Sequence, residues 1–99
     1  MKTIQKPIKP IVEIIKSTDL TGAEIINKTI LYADGKEEIL SYRNGLAHGL
    51  FLKRDKRRLT YSGHYKNGDA IGEHRFFENG NCIRICNMNN MSITDYPQP

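Results

Sequence analysis

The sequence predicts a mainly β protein, a single antiparallel meander sheet preceded by an extended or short helical N-terminal segment. Three observations carry that reading. Turn signals recur at Asp34-Gly35, Asn44-Gly45, a polar turn across Asp55 to Arg57, Asn67-Gly68 and Asn79-Gly80, spaced about ten to twelve residues apart. That interval holds one strand and a tight turn, and leaves no room for the helical crossover that a parallel sheet requires. The stretch Tyr42-Arg43-Asn44-Gly45-Leu46-Ala47-His48-Gly49 returns 23 residues later as Tyr65-Lys66-Asn67-Gly68-Asp69-Ala70-Ile71-Gly72. Each copy carries Asn-Gly, the pair that most readily supplies two positive-φ residues, so each copy is a hairpin tip. Between the turns the residues are rich in β-branched and aromatic types, which fit a pleated, half-buried surface.

In chain order, three regions are expected: 1–31, 32–88 and 89–99. Pro7 and Pro10 favour an extended lead-in, and the run Ile11-Val12-Glu13-Ile14-Ile15 after Pro10 favours a first strand. Ala23 to Tyr32 is again β-prone, with a short helix over 19–28, capped by Asp19 or Thr21, as the alternative. Strands are then expected near 28–33, 37–42, 47–54, 58–65, 70–77 and 81–87. Residues 89–99, polar with Pro97 and Pro99, read as a flexible tail, loose or draped along a sheet edge.

Two-residue turns fix a register: Tyr65 opposite Ala70, His64 opposite Ile71, Tyr61 opposite His74, and in the first hairpin Tyr42 opposite Ala47 and Leu40 opposite Gly49. One face then collects Leu40, Tyr42, Gly49, Phe51, Tyr61, Gly63, Tyr65, Gly72, His74 and Phe76, provided the turn at Asp55 is odd in length. The other face collects Ile39, Ser41, His48, Leu50, Leu52, Thr60, His64, Ile71 and Phe77. One sheet cannot bury both faces, so either the N-terminal 30 residues cover one side or a second copy does, which makes a homodimer an expected form.

The formal net charge of +4 is localised. Lys53, Arg54, Lys56, Arg57 and Arg58 surround a single acid, Asp55, whereas the rest of the chain holds ten bases and ten acids. A basic hairpin tip can meet phosphates or an acidic protein patch. No catalytic or cofactor motif stands beside it. Ser62 and His64 are two apart, but a serine nucleophile needs a base within hydrogen-bond reach and a sharp exposing turn. The three histidines, His48, His64 and His74, divide between the faces. Cys82 and Cys86, four residues apart on one strand, would stand about 13 Å apart, too far for a disulfide or a shared metal. The chemistry points to no enzyme, no cofactor and no metal. No apolar run reaches the ~20 residues of a bilayer span, and the N-terminus lacks an apolar signal segment, so the expected location is the cytoplasm.

The pattern Tyr-x-Asn-Gly-x-x-x-Gly at 42–49 and 65–72, followed by Glu78-Asn79-Gly80, resembles the MORN-like repeats of the bacterial YwqK family of antitoxin-like proteins. Phe51 stands at the aromatic position of the first copy and His74 at that of the second, and the first copy has Asp55-Lys56-Arg57 in place of its second Asn-Gly. The resemblance spans about residues 32–86. It implies hairpin repeats in an elongated sheet, and a binding or scaffolding role. The expected function is therefore a non-catalytic protein-binding module, an antitoxin-like or phage-encoded inhibitor that sequesters a partner enzyme. The alternative is a nucleic-acid binder that uses the tip at 53–58. Candidate partner-binding residues are Lys53, Arg54, Lys56, Arg57, Arg58, Tyr42, Tyr61, Tyr65 and His74, and no membrane partner is expected.

Overall fold

The computed structural model describes residues 9–96. They form one open antiparallel sheet: β1 (Ile11–Thr18), β2 (Glu24–Leu31), β3 (Lys36–Arg43), β4 (Leu46–Ala47), β5 (Gly49–Asp55), β6 (Arg58–Lys66), β7 (Asp69–Glu78), β8 (Asn81–Asn87) and β9 (Ser92–Asp95). The strands lie side by side in chain order, with β4 extending the tip of β3. The result is a slab of 58 × 47 × 16 Å, one sheet thick.

The turns form where the sequence places them. Asn44-Gly45, Asn67-Gly68 and Asn79-Gly80 all have two consecutive positive φ angles, the geometry of type I′ hairpins. Lys56-Arg57 adopts the same conformation without a glycine, at φ 50° and 72°. At Gly68, φ is 91° and its amide donates to Ala47 O at 2.8 Å, which ties the second hairpin to the first. Gly68→Val should therefore lower stability by about 1–3 kcal/mol, because a β-branched residue is strained in that backbone region. A urea titration of the two proteins measures the difference.

The N-terminal region differs from the helical alternative. Asp19 and Thr21, which could cap a helix, instead close the β1–β2 turn. The Asp19 carboxylate accepts from the Thr21 hydroxyl at 2.6 Å, the Thr21 amide at 2.8 Å and the Ala23 amide at 3.0 Å. Arg43 donates to its second oxygen at 3.0 Å. With the Thr21 hydroxyl as the main cause and Arg43 next, the Asp19 carboxyl is held well below the usual carboxylate range. Nor does the N-terminal region fold over the sheet: β1 pairs with β2 in the same plane, from Ile11 opposite Leu31 to Thr18 opposite Glu24. The lead-in with Pro7 lies outside the described residues. At the other end, of the two forms expected for the tail, loose or draped along a sheet edge, Ser92–Asp95 takes the second and pairs with β8 as an edge strand.

The registers at both repeat tips hold, Tyr42 opposite Ala47 and Tyr65 opposite Ala70. Beyond each tip the pairing slips. Past His64 opposite Ile71, the next pairs are Ser62 opposite Arg75 and Tyr61 opposite Phe76, so the expected Tyr61–His74 pair is replaced. Likewise Ile39 lies opposite Leu52, which moves β5 two residues from the register of Tyr42 opposite Ala47 and away from the expected Leu40–Gly49 pair. Both slips sit at the last glycine of the repeat, Gly49 at φ 101° and Gly72 at φ 66°. A glycine inside a strand pattern marks such a bulge. Each slip displaces the pairing by two residues, so every side chain keeps its expected face. At Lys53/Arg54 a further irregularity makes up the odd count, since the turn itself is a two-residue one between Asp55 and Arg58.

Candidate partner-binding surface

The register builds an aromatic ladder on one face. Tyr42 meets Phe51 edge-on at 5.8 Å between centroids, Phe51 lies 4.5 Å from Tyr65, and Tyr65 is 5.3 Å from His74. Tyr61 then stands 5.7 Å from His74 and 5.2 Å from Phe76. These side chains shield one another, in a sheet where Ala23 is the one buried apolar residue among those described.

His74 is the best-buried side chain, 1% exposed. Its Nδ1 lies 2.5 Å from the Tyr61 hydroxyl, and its Nε2 is 3.0 Å from His64 O. A carbonyl only accepts, so Nε2 carries the proton and the Tyr61 hydroxyl donates to Nδ1. Burial pushes the Tyr61 hydroxyl above its ordinary range, with the neighbouring Tyr65 hydroxyl adding to the shift. The ring fits because Gly63 lies beneath it; a methyl group at Gly63 would overlap both the His74 ring and the Tyr61 hydroxyl. His74, named from the sequence as a candidate partner-binding residue, thus lies buried with both ring nitrogens engaged. The signal for this was present in sequence, where Gly63 sits among aromatic residues; the two-residue slip that brings His74 over it was not.

The five bases of the tip do not act as a single cluster. Lys53 projects onto the aromatic face, where its Nζ is 3.5 Å from Glu38 and 5.7 Å from the Tyr61 centroid. Arg54 lies across from Glu37 and pairs with it at 3.0 Å on the opposite face. Lys56, Arg57 and Arg58 are exposed and form no ion pair among the described residues. Three free cations on a turn remain from the five read in sequence, because β3 supplies Glu37 and Glu38 to the other two. Tyr42, Tyr61 and Tyr65 are half-buried, each ring in contact with another ring of the ladder.

The most open apolar surface lies elsewhere, on β1, which the sequence reading expected as a first strand but did not count among the candidate binding residues. All eight of its residues are exposed, Ile11 at 67%, and its outer edge has no strand partner among the described residues. Val12 and Ile14 point to the aromatic face, Ile11 and Ile15 to the other, since they pair with Ile30, Lys28, Leu31 and Asn27 respectively.

Cys82 and Cys86 are free thiols, one opposite Phe77 and the other opposite His74. Among the described residues no three His, Cys, Asp or Glu side chains are grouped to hold a metal ion. No helix of the described residues is long and apolar enough to cross a membrane. Comparison of the chain with protein-family models, with curated proteins and with solved structures finds no match.

Proposed function

We propose that this chain is a non-catalytic protein-binding module that captures a partner protein along the β1 edge. The observation that carries the reading is β1 itself: eight exposed residues, four of them Ile or Val within the first five, on an unpaired strand edge. A long apolar edge without prolines or bulges, its charges limited to Glu13 and Lys16, is a template for another strand, and proteins that keep one use it or cover it. A partner strand added there would gain main-chain hydrogen bonds, and the side chains of Val12, Ile14, Ile11 and Ile15 would select it on both faces. The resemblance of the hairpin repeats to MORN-like repeats is in keeping with the same reading, and an antitoxin-like or phage-encoded inhibitor acting in the cytoplasm is its specific form.

The second reading, a nucleic-acid binder, rests on Lys56, Arg57 and Arg58. Gel-shift titration against mixed single- and double-stranded nucleic acid, at low and at physiological salt, separates the two. Only weak retention at low salt is expected, because three phosphate contacts release few counterions. Tight, salt-sensitive binding that disappears when Arg54, Lys56, Arg57 and Arg58 are changed to glutamine would establish the second reading instead.

A further inference from the structure

The face opposite the aromatic ladder is a second open surface, distinct from the β1 edge and independent of the reading above. Two rows run across its centre, Ile39–Leu52–Ser62 and Leu50–His64–Ile71. Leu50 is 41% exposed and Ile71 36%. No ring ladder shields them.

The amount of uncovered surface is large. Among the described residues twelve large apolar side chains are exposed and Ala23 is the one buried apolar residue. A slab 16 Å thick has no second layer, and stacked sheets lie about 10 Å apart with side chains from both inner faces interlocking.

Charge decides which face stacks, because a two-fold interface brings each patch against its own copy. On the aromatic face Lys16 and Lys28 lie beside the row containing Ile26 and Tyr42, and neither forms an ion pair among the described residues. Two copies joined there would bring these ammonium groups together. On the opposite face Glu37 is paired with Arg54 at 3.0 Å and Glu73 with Arg75 at 2.7 Å. Its remaining charges are of both signs, Lys66 opposite Asp69 at one tip and Glu13 on β1, and its central rows set Ile39, Leu52, Leu50 and Ile71 beside Ser62 and His64.

We infer that the face bearing Ile39, Leu50, Leu52 and Ile71 packs against the same face of a second copy, giving a two-layer sandwich in which each chain supplies one sheet. This arrangement leaves the aromatic face and the β1 edge free.

Sedimentation equilibrium across the micromolar range tests it. The wild type should sediment as a dimer of about 23 kDa, twice the chain mass. Leu50→Asp combined with Ile71→Asp should give a monomer with an unchanged far-ultraviolet circular dichroism spectrum, whereas Lys28→Gln should remain dimeric. A wild type that stays monomeric throughout, or a folded double variant that still dimerises, overturns the proposal. Should the double variant not fold, methyl NMR of the wild type at increasing concentration decides. Shifts at Ile39, Leu50, Leu52 and Ile71 support the interface, and shifts confined to Val12, Ile14 and Ile26 overturn it.

Discussion

Gly63→Ala is expected to be the most damaging single-methyl addition in the sheet, lowering stability by about 3 kcal/mol or more. The backbone at Gly63 would accept alanine, so the cost is steric. The new methyl would occupy the space of the His74 ring and the Tyr61 hydroxyl, which meet directly above it. Overpacking alone costs ~1–3 kcal/mol. Moving the imidazole also separates it from Tyr61 and from His64 O, and each buried polar group left unpaired costs ~1–3 kcal/mol more. Denaturant midpoints of Gly63→Ala and of the neighbouring Ser62→Ala measure this, and Ser62→Ala should change little. A cycle with His74→Ala identifies the cause: once the ring is gone, adding the methyl should cost much less, giving a coupling well above the ~0.5 kcal/mol of independent sites. Additive effects would mean that Gly63 matters for some reason other than the imidazole above it.

Phe51→Ala should have the next largest effect, about 3 kcal/mol, in the lower part of the range for phenylalanine truncation because the ring is only half-buried. Phe51 joins the two repeats, with Tyr42 of the first on one side and Tyr65 of the second on the other. It also lies opposite Gly63 across the β5–β6 pair. Removing it interrupts the ladder in the middle. A domain of this size has a total stability of only ~5–15 kcal/mol, so the variant should melt at a clearly lower temperature. Lys56→Ala, on an exposed turn, should stay within ~0.5 kcal/mol of wild type. Equal melting temperatures for the two would show that the aromatic face is wrongly assigned.

The strand order and the division of side chains between faces were legible in the sequence because both depend on local chemistry. Asn-Gly pairs demand type I′ turns, and a period of two assigns each side chain from the turn outward. The slips at Gly49 and Gly72 were not legible as register changes. A glycine permits a bulge without specifying how many residues it absorbs, and a two-residue slip leaves the pattern of faces intact. For that reason the aromatic face came out as expected while the partner of Tyr61 did not. The candidate site was read less well. Net charge located five bases on one tip, but it could not show that Glu37 and Glu38 lie across β5, since that pairing is set by the non-local β3–β5 register. His74, read at the aromatic position of the second copy and as a candidate partner-binding residue, is 1% exposed, because its burial depends on Gly63 in the adjacent strand. The apolar run of β1 read as a strand, but whether it lay inside the sheet, above it or at its edge was a matter of topology.

Association through the β1 edge is the central claim, and affinity purification of the tagged protein from the cells that encode it tests it most directly. The wild type is compared with a Val12→Lys, Ile14→Lys variant, with and without nuclease treatment. Lysine on an edge strand discourages strand addition, and both positions are already exposed, so the variant should keep its fold. The account predicts a protein partner recovered with the wild type in stoichiometric amount, resistant to nuclease and to physiological salt, and lost with the lysine variant. Recovery of nucleic acid alone, or of the same protein equally with both baits, would contradict it.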